Sequence, residues 1–273
     1  MCFSPHGRPE TRRAEPVAEG TVEVVEPAVI VTERNPDIMR LYELLSRLAN
    51  RVGGPRRLRD QRARRDLPLR GVYYFFEPGE FRSDRDDESR VVRVGTHALK
   101  SGAKSTLWGR LSQHRGSSRS GGGNHRGSIF RLLVGSALAN QSRTPLPNSW
   151  GVSSSVRGAA ERLGVEPAAI KEAEADLERR VSAHIGQMPF LWLNVADAPG
   201  PESERDLIER NSIALLSGYR SRAADSPSPE WLGNSSDREP VRRSGLWNNR
   251  HVDAAYDPSF LDLMEAWIES SAK

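Results

Sequence analysis

Residues 71–80 read GVYYFFEPGE, residues 91–96 read VVRVGT after a charged, Asp/Arg-rich tip, and residues 107–116 read LWGRLSQHRG. The first two runs combine aromatic and β-branched residues without a helical period, so they predict two strands joined by a loop, a hairpin. In the third, Leu107, Trp108 and Leu111 supply one buried face of a helix, while Arg110 and His114, four residues apart, project together from one side of it. A strand tyrosine, Tyr73, an arginine and a histidine are thereby expected to converge.

The composition sets what such a site can belong to. The chain has 273 residues, 37% hydrophobic and 28% charged, enough for a core that needs no staples and too apolar for a disordered polymer. Its formal net charge is +4, and with lysine only at positions 100, 104, 171 and 273 nearly all of its positive charge is guanidinium, which suits bidentate contact with phosphate. Cys2 is the only cysteine, which excludes an internal disulfide and a cysteine-based zinc site. No apolar run of membrane length and no leader pattern is present, so a cytoplasmic protein without a membrane partner is expected.

On the N-terminal side, residues 1 to about 34 read as a loose arm or an added edge strand. Asn35 and Pro36 then predict the start of a helix, with Ile38, Leu41, Tyr42, Leu45, Leu48, Ala49 and Val52 at helical spacing and Gly53-Gly54-Pro55 as its stop. This stripe is expected to pack on the sheet. Residues 55–70 hold seven arginines, among them Arg62, Arg64 and Arg65, against Asp60 and Asp66; the run reads equally as a solvated linker or as a track for a phosphate backbone. These residues, 1–66, form an N-terminal arm, helix and linker ahead of a core at 67–223.

On the C-terminal side, residues 117–127 are rich in Ser, Gly and Arg and predict a mobile loop that brings Arg115, Arg119 and Arg126 near the helix end, where they can clamp DNA, with His125 as a surface histidine. Residues 128–138 predict a buried helix, and residues 155–184 two helices broken at Gly164, the second starting at Pro167. The latter two read as a helical insertion at about 139–187 whose acidic residues, Glu161, Glu166, Glu172, Glu174, Asp176 and Glu178, form a solvated face. Residues 188–195, MPFLWLNV, are a continuous apolar run of strand length. In the next helix Glu209 shares a side with Ile213 and Leu216, and a carboxylate there needs a partner, such as Arg110. The tail, 224–273, adds SGLWNNRH at 244–251 and a final helix with Phe260, Leu261, Met264, Trp267 and Ile268 on one stripe, docked on the core.

From Leu69 to Gly218 the sequence resembles the GIY-YIG nuclease superfamily. Gly71-Val72-Tyr73 matches the first half of its hairpin signature, and Arg93-Val94-Gly95 stands in the place of the second half, with arginine where the family usually has tyrosine. Arg110 matches the family's helix arginine, and His114 a histidine that its restriction-enzyme branch carries one turn further on. The resemblance makes Glu209 the metal-binding glutamate and Asn248 the bracing asparagine, with Asn249 and Asn234 as rivals. It implies an α+β fold, a three-stranded antiparallel sheet flanked by helices with helical additions at both ends.

The chemistry implied is metal-dependent hydrolysis of DNA phosphodiester bonds by Tyr73, Arg93, Arg110, His114, Glu209 and Asn248. Glu209 would hold one Mg²⁺ or Mn²⁺, Arg110 the scissile phosphate, and Tyr73 the water. A free phenol has a pKa of about 10 and needs His114 to draw off its proton. Arg93 cannot serve as a base, but its guanidinium can grip the phosphate from the other side. Double-stranded DNA is the expected substrate and a homodimer a possible state. The alternatives are a catalytically silent nucleic-acid-binding protein of the same fold, and an interaction protein whose arginines meet an acidic partner. Thr96, His97 and Lys100 offer either a further phosphate contact or a solvated loop.

Overall fold

The computed structural model describes residues 31–60, 64–220 and 225–270. The Val-rich run at 21–32, apart from its last two residues, and Arg62 lie outside the described residues.

A four-stranded antiparallel sheet carries helices on both faces. Its strands are β1 (Arg56–Arg57), β2 (Gly71–Phe81), β3 (Ser89–Gly95) and β4 (Pro189–Asn194), in the spatial order β1-β4-β2-β3. Three of these match the sequence expectation. The fourth, β1, is the two-residue start of the arginine run, where Arg56 pairs with Phe190 and lays its guanidinium 4.5 Å from the Trp192 ring. A short edge strand of this kind carries no alternation to reveal it.

Both faces of β2 are buried because its residues alternate between two cores. Val72, Tyr74 and Phe76 join Leu191 and Leu193 of β4 under α1 (Val31–Val52), α6 (Glu204–Leu216) and α8 (Phe260–Ser270). Tyr73 and Phe75 join Phe190 and Trp192 under α2 (Leu107–Arg115), α3 (Ile129–Gln141) and α5 (Pro167–Gln187). Two shorter helices, α4 (Val156–Leu163) and α7 (Glu239–Ser244), complete the set. The first helix begins at Val31, so Pro36 sits inside it rather than at its first position.

The tail closes the free edge of β3. Trp247 N–H donates to Val92 O at 2.7 Å, and the Asn248 side chain answers both backbone groups of Val94, accepting its N–H at 3.2 Å and donating to its carbonyl at 2.9 Å. On β2, buried Glu77 accepts from the indoles of Trp231 and Trp247 at 2.9 Å each and bonds His184 at 2.8 Å. Burial alone would raise the Glu77 carboxyl, but these partners, His184 foremost, hold it below the ordinary range.

The segment before and inside the helical insertion differs from expectation. His125 is buried, stacked 3.9 Å from Trp150, and Glu174 and Glu178 are buried rather than solvated. Glu178 takes His125 N–H at 2.6 Å and the Arg131 Nε–H at 3.0 Å, while Arg126 pairs with Glu174 at 2.6 Å. The acids of α5 meet cations from a segment about fifty residues earlier, a pairing that helical spacing cannot show.

Candidate active site

Tyr73 reaches the site from near the start of β2. It stands opposite Gly95 of β3, and a Cβ at Gly95 would fall inside the Tyr73 phenol, so the glycine is what lets the ring lie across the neighbouring strand. Gly71 serves the same hairpin differently, since a Cβ there would strike the Leu193 carbonyl of β4. Thr106 caps α2 by accepting Gly109 N–H, and the helix then presents His114 to the phenol.

Tyr73 OH and His114 Nε2 lie 2.8 Å apart, and His114 Nδ1 lies 2.7 Å from the Ser128 hydroxyl. Neither Tyr73 nor His114 has exposed surface. Burial, aided by the charges of Arg110, Arg93 and Arg131, holds the His114 ring well below the usual histidine range and therefore neutral. Ser128 is not among the residues the sequence singles out. A serine directly before an apolar helical run is a capping signal, but its reach to His114 is a tertiary contact.

Arg93, opposite Phe75, is buried. It donates to the Trp247 carbonyl, covers the Phe130 ring at 4.7 Å, interacts with the Tyr73 phenol, and leaves its Nε without a protein partner. Burial lowers its pKa from the ordinary arginine value. Arg93, Arg110, Glu209 and Asn248 line one cleft of about 420 Å³, together with Asp206, Ile129 and the loop Asn249-Arg250-His251. Four of the six proposed catalytic positions therefore share this cleft, and Tyr73 and His114 stand behind Arg93. Asn234 is elsewhere, bonding the Ser228 and Pro229 carbonyls.

Glu209 forms no salt bridge with Arg110, the partner weighed against a metal ion. That guanidinium bonds Gln113 Oε1 and Gly127 O at 3.1 Å each and reaches Glu209 through its charge alone. Glu209 accepts Thr96 N–H at 3.2 Å through Oε1. Its carboxyl is pushed up to about 7, chiefly by burial and further by Asp206, against the opposing pull of Arg93, Thr96 and Arg110. A carboxylate whose ionisation is this poorly compensated, with Oε2 left for a ligand at a cleft, fits one hard divalent cation that keeps most of its waters. No group of three or more His, Cys, Asp or Glu that could form an all-protein metal cage occurs among the described residues.

The other expected nucleic-acid contacts divide. Arg64, Arg65 and Arg119 are exposed, and Arg115 is half-buried with its guanidinium 5.0 Å from the Trp108 ring. Arg126 is withdrawn into its pair with Glu174 and a bond to Ser149 O, so it presents no free guanidinium to a surface ligand. His97 is also buried: its Nδ1–H donates to Ser105 O at 3.1 Å, and burial, with Arg205, Arg110 and Arg70, lowers it to about 4. A neutral ring in this tautomer has no proton on Nε2 to offer a phosphate.

A model of the GIY-YIG domain family matches residues 32–273, and the chain belongs to that family. The match runs from α1 to α8, wider than the stretch from Leu69 to Gly218 that carries the sequence resemblance. Members of this family are generally nucleases, which makes nucleic acid the implied substrate. Comparisons with curated proteins and with solved structures give no match. Among the described residues no helix is long and apolar enough to cross a membrane.

Proposed function

We propose that this protein is a metal-dependent endonuclease that hydrolyses phosphodiester bonds of DNA, with double-stranded DNA as substrate. The observation that carries the reading is the buried Tyr73–His114 pair, 2.8 Å apart, set behind a cleft whose lining includes Arg93, Arg110 and an ionisable glutamate. Arg110 and Arg93 hold the scissile phosphate from two sides. Arg93 exchanges its bond to the Trp247 carbonyl for the phosphate, uncovering the phenol. Tyr73 then orients the attacking water and takes its proton while giving its own to His114 Nε2, so no free phenolate has to accumulate. Asn248 holds β3, and so Arg93, against the tail.

Glu209 is the residue that would hold the metal, Mg²⁺ or Mn²⁺, through its free oxygen, with water in the remaining positions. When bound, such an ion supplies the charge that stabilises the departing 3′ oxygen. Arg64, Arg65, Arg115 and Arg119 follow the DNA backbone outside the cleft.

One observation favours a second reading. Tyr73 has no exposed surface, and the residue over it is an arginine where the family usually has tyrosine. A silent DNA-binding protein would look the same. Incubating supercoiled plasmid with Mg²⁺ or Mn²⁺, wild type beside Glu209→Ala, separates the two. Cleavage by wild type that the variant loses is the expected result. Salt-sensitive DNA binding without cleavage in any metal establishes the second reading.

A further inference from the structure

One hydroxyl serves two partners at the end of the Tyr73–His114 chain. Ser128 caps α3, its Oγ accepting Arg131 N–H at 3.3 Å, and the same Oγ lies 2.7 Å from His114 Nδ1. A neutral imidazole carries one proton, so one ring nitrogen donates and the other accepts. Which nitrogen holds the proton decides whether Tyr73 can release its own.

Three features place that proton on Nδ1. The Tyr73 oxygen faces Arg93, a group that only donates, so the phenol's own proton is directed away from Arg93 and toward His114. A phenol is a stronger donor than a serine alcohol, and the imidazole lone pair belongs opposite the stronger donor. Ser128 Oγ also keeps a second lone pair after accepting Arg131 N–H, enough for Nδ1–H.

We infer that Ser128 is a positioning residue, which by accepting Nδ1–H holds His114 in the tautomer whose Nε2 lone pair takes the Tyr73 proton. The inference rests on the hydrolytic roles proposed for Tyr73 and His114. In the transfer the Tyr73 O–H bond breaks and an Nε2–H bond forms, while the phenol oxygen gains the proton of the attacking water. The resulting imidazolium keeps its Nδ1–H on Ser128 throughout. Without the hydroxyl, Nδ1–H would be buried with no acceptor. The ring's single proton would then sit on Nε2, donated to the Tyr73 oxygen, and the phenolic proton would have no destination.

The test reads the tautomer and the reaction separately. Full-length protein labelled with ¹⁵N-histidine gives ring-nitrogen shifts near neutral pH, with His114 assigned from its loss in His114→Gln. The expected wild-type pattern is a protonated Nδ1 and a bare Nε2, reversed in Ser128→Gly. Glycine caps a helix nearly as well as serine, so this variant should melt as the wild type does. Its kcat for plasmid cleavage should fall about a hundredfold at unchanged KM, with Ser128→Thr restoring both rate and tautomer. A protonated Nε2 in the wild type overturns the inference, as does a wild-type kcat in Ser128→Gly. Absence of cleavage by the wild type would refute the proposed function instead, and the nitrogen shifts would still decide the role of Ser128.

Discussion

Replacing Glu209 with glutamine should make the metal-free protein more stable, and only above the acid range. The carboxyl titrates near 7 in the folded chain against 4.5 for an ordinary glutamate. A raised carboxyl pKa means that the folded state binds the proton more tightly than the unfolded state does. The stability associated with that proton is complete below about 4.5, declines as pH rises, and is lost once pH passes about 7. At about 1.4 kcal/mol per pH unit the whole shift corresponds to about 3 kcal/mol, and water at the cleft reduces it to about 2–3 kcal/mol. Glutamine keeps an oxygen for Thr96 N–H but has nothing to ionise. Urea unfolding of both proteins in a chelator, at about pH 5 and pH 8, measures this as a double difference. The variant should lie near the wild type at the lower pH and gain most of that margin at the higher one. Adding Mg²⁺ at the higher pH should then raise the wild type alone. An equal gap at both values, or a wild type that gains on the variant as pH rises, would refute the burial argument.

Four further outcomes follow from the geometry. Tyr73→Phe removes one hydroxyl from a packed ring, so cleavage should fall by about 10² or more while DNA affinity in a filter-binding assay stays at the wild-type level. Gly95→Ala places a methyl group against the Tyr73 phenol, and thermal unfolding should show a loss of about 1–3 kcal/mol together with loss of cleavage, because the ring has to leave its place. Arg126→Ala strands the buried Glu174 carboxylate and should cost about 3–5 kcal/mol of stability. Arg65→Ala should leave the unfolding transition alone and lower the salt slope of DNA binding by about one. Reversal of that contrast would return Arg126 to the DNA surface.

The parts of the site that were legible in the sequence are those written within a single element. Tyr73 stands in a run of aromatic and β-branched residues without a helical period, Arg110 and His114 are one helical turn apart, and Glu209 shares a face of α6 with apolar residues. Each is a local pattern, and local patterns survive folding. What could not be read joins distant segments. Arg126 meets Glu174 across the helical insertion, Arg131 meets Glu178, and Ser128 reaches His114 from the start of the next helix. An acidic helix face looks solvated until its arginines are located, and Arg126 resembled a DNA contact for the same reason. Arg56 and Arg57 read as part of a linker because two residues are too few for alternation to register.

The two hydrogen bonds between the Asn248 side chain and Val94 have a consequence for the order in which the protein comes into being. During synthesis from the N-terminus, the hairpin, Arg110, His114 and Glu209 have all emerged while the edge of β3 is still bare. Val94 N–H and C=O find their partner, and Arg93 its carbonyl at Trp247, only when the tail has been made. A chain interrupted before Asn248 has β3 but not the side chain that holds its Val94 to the tail.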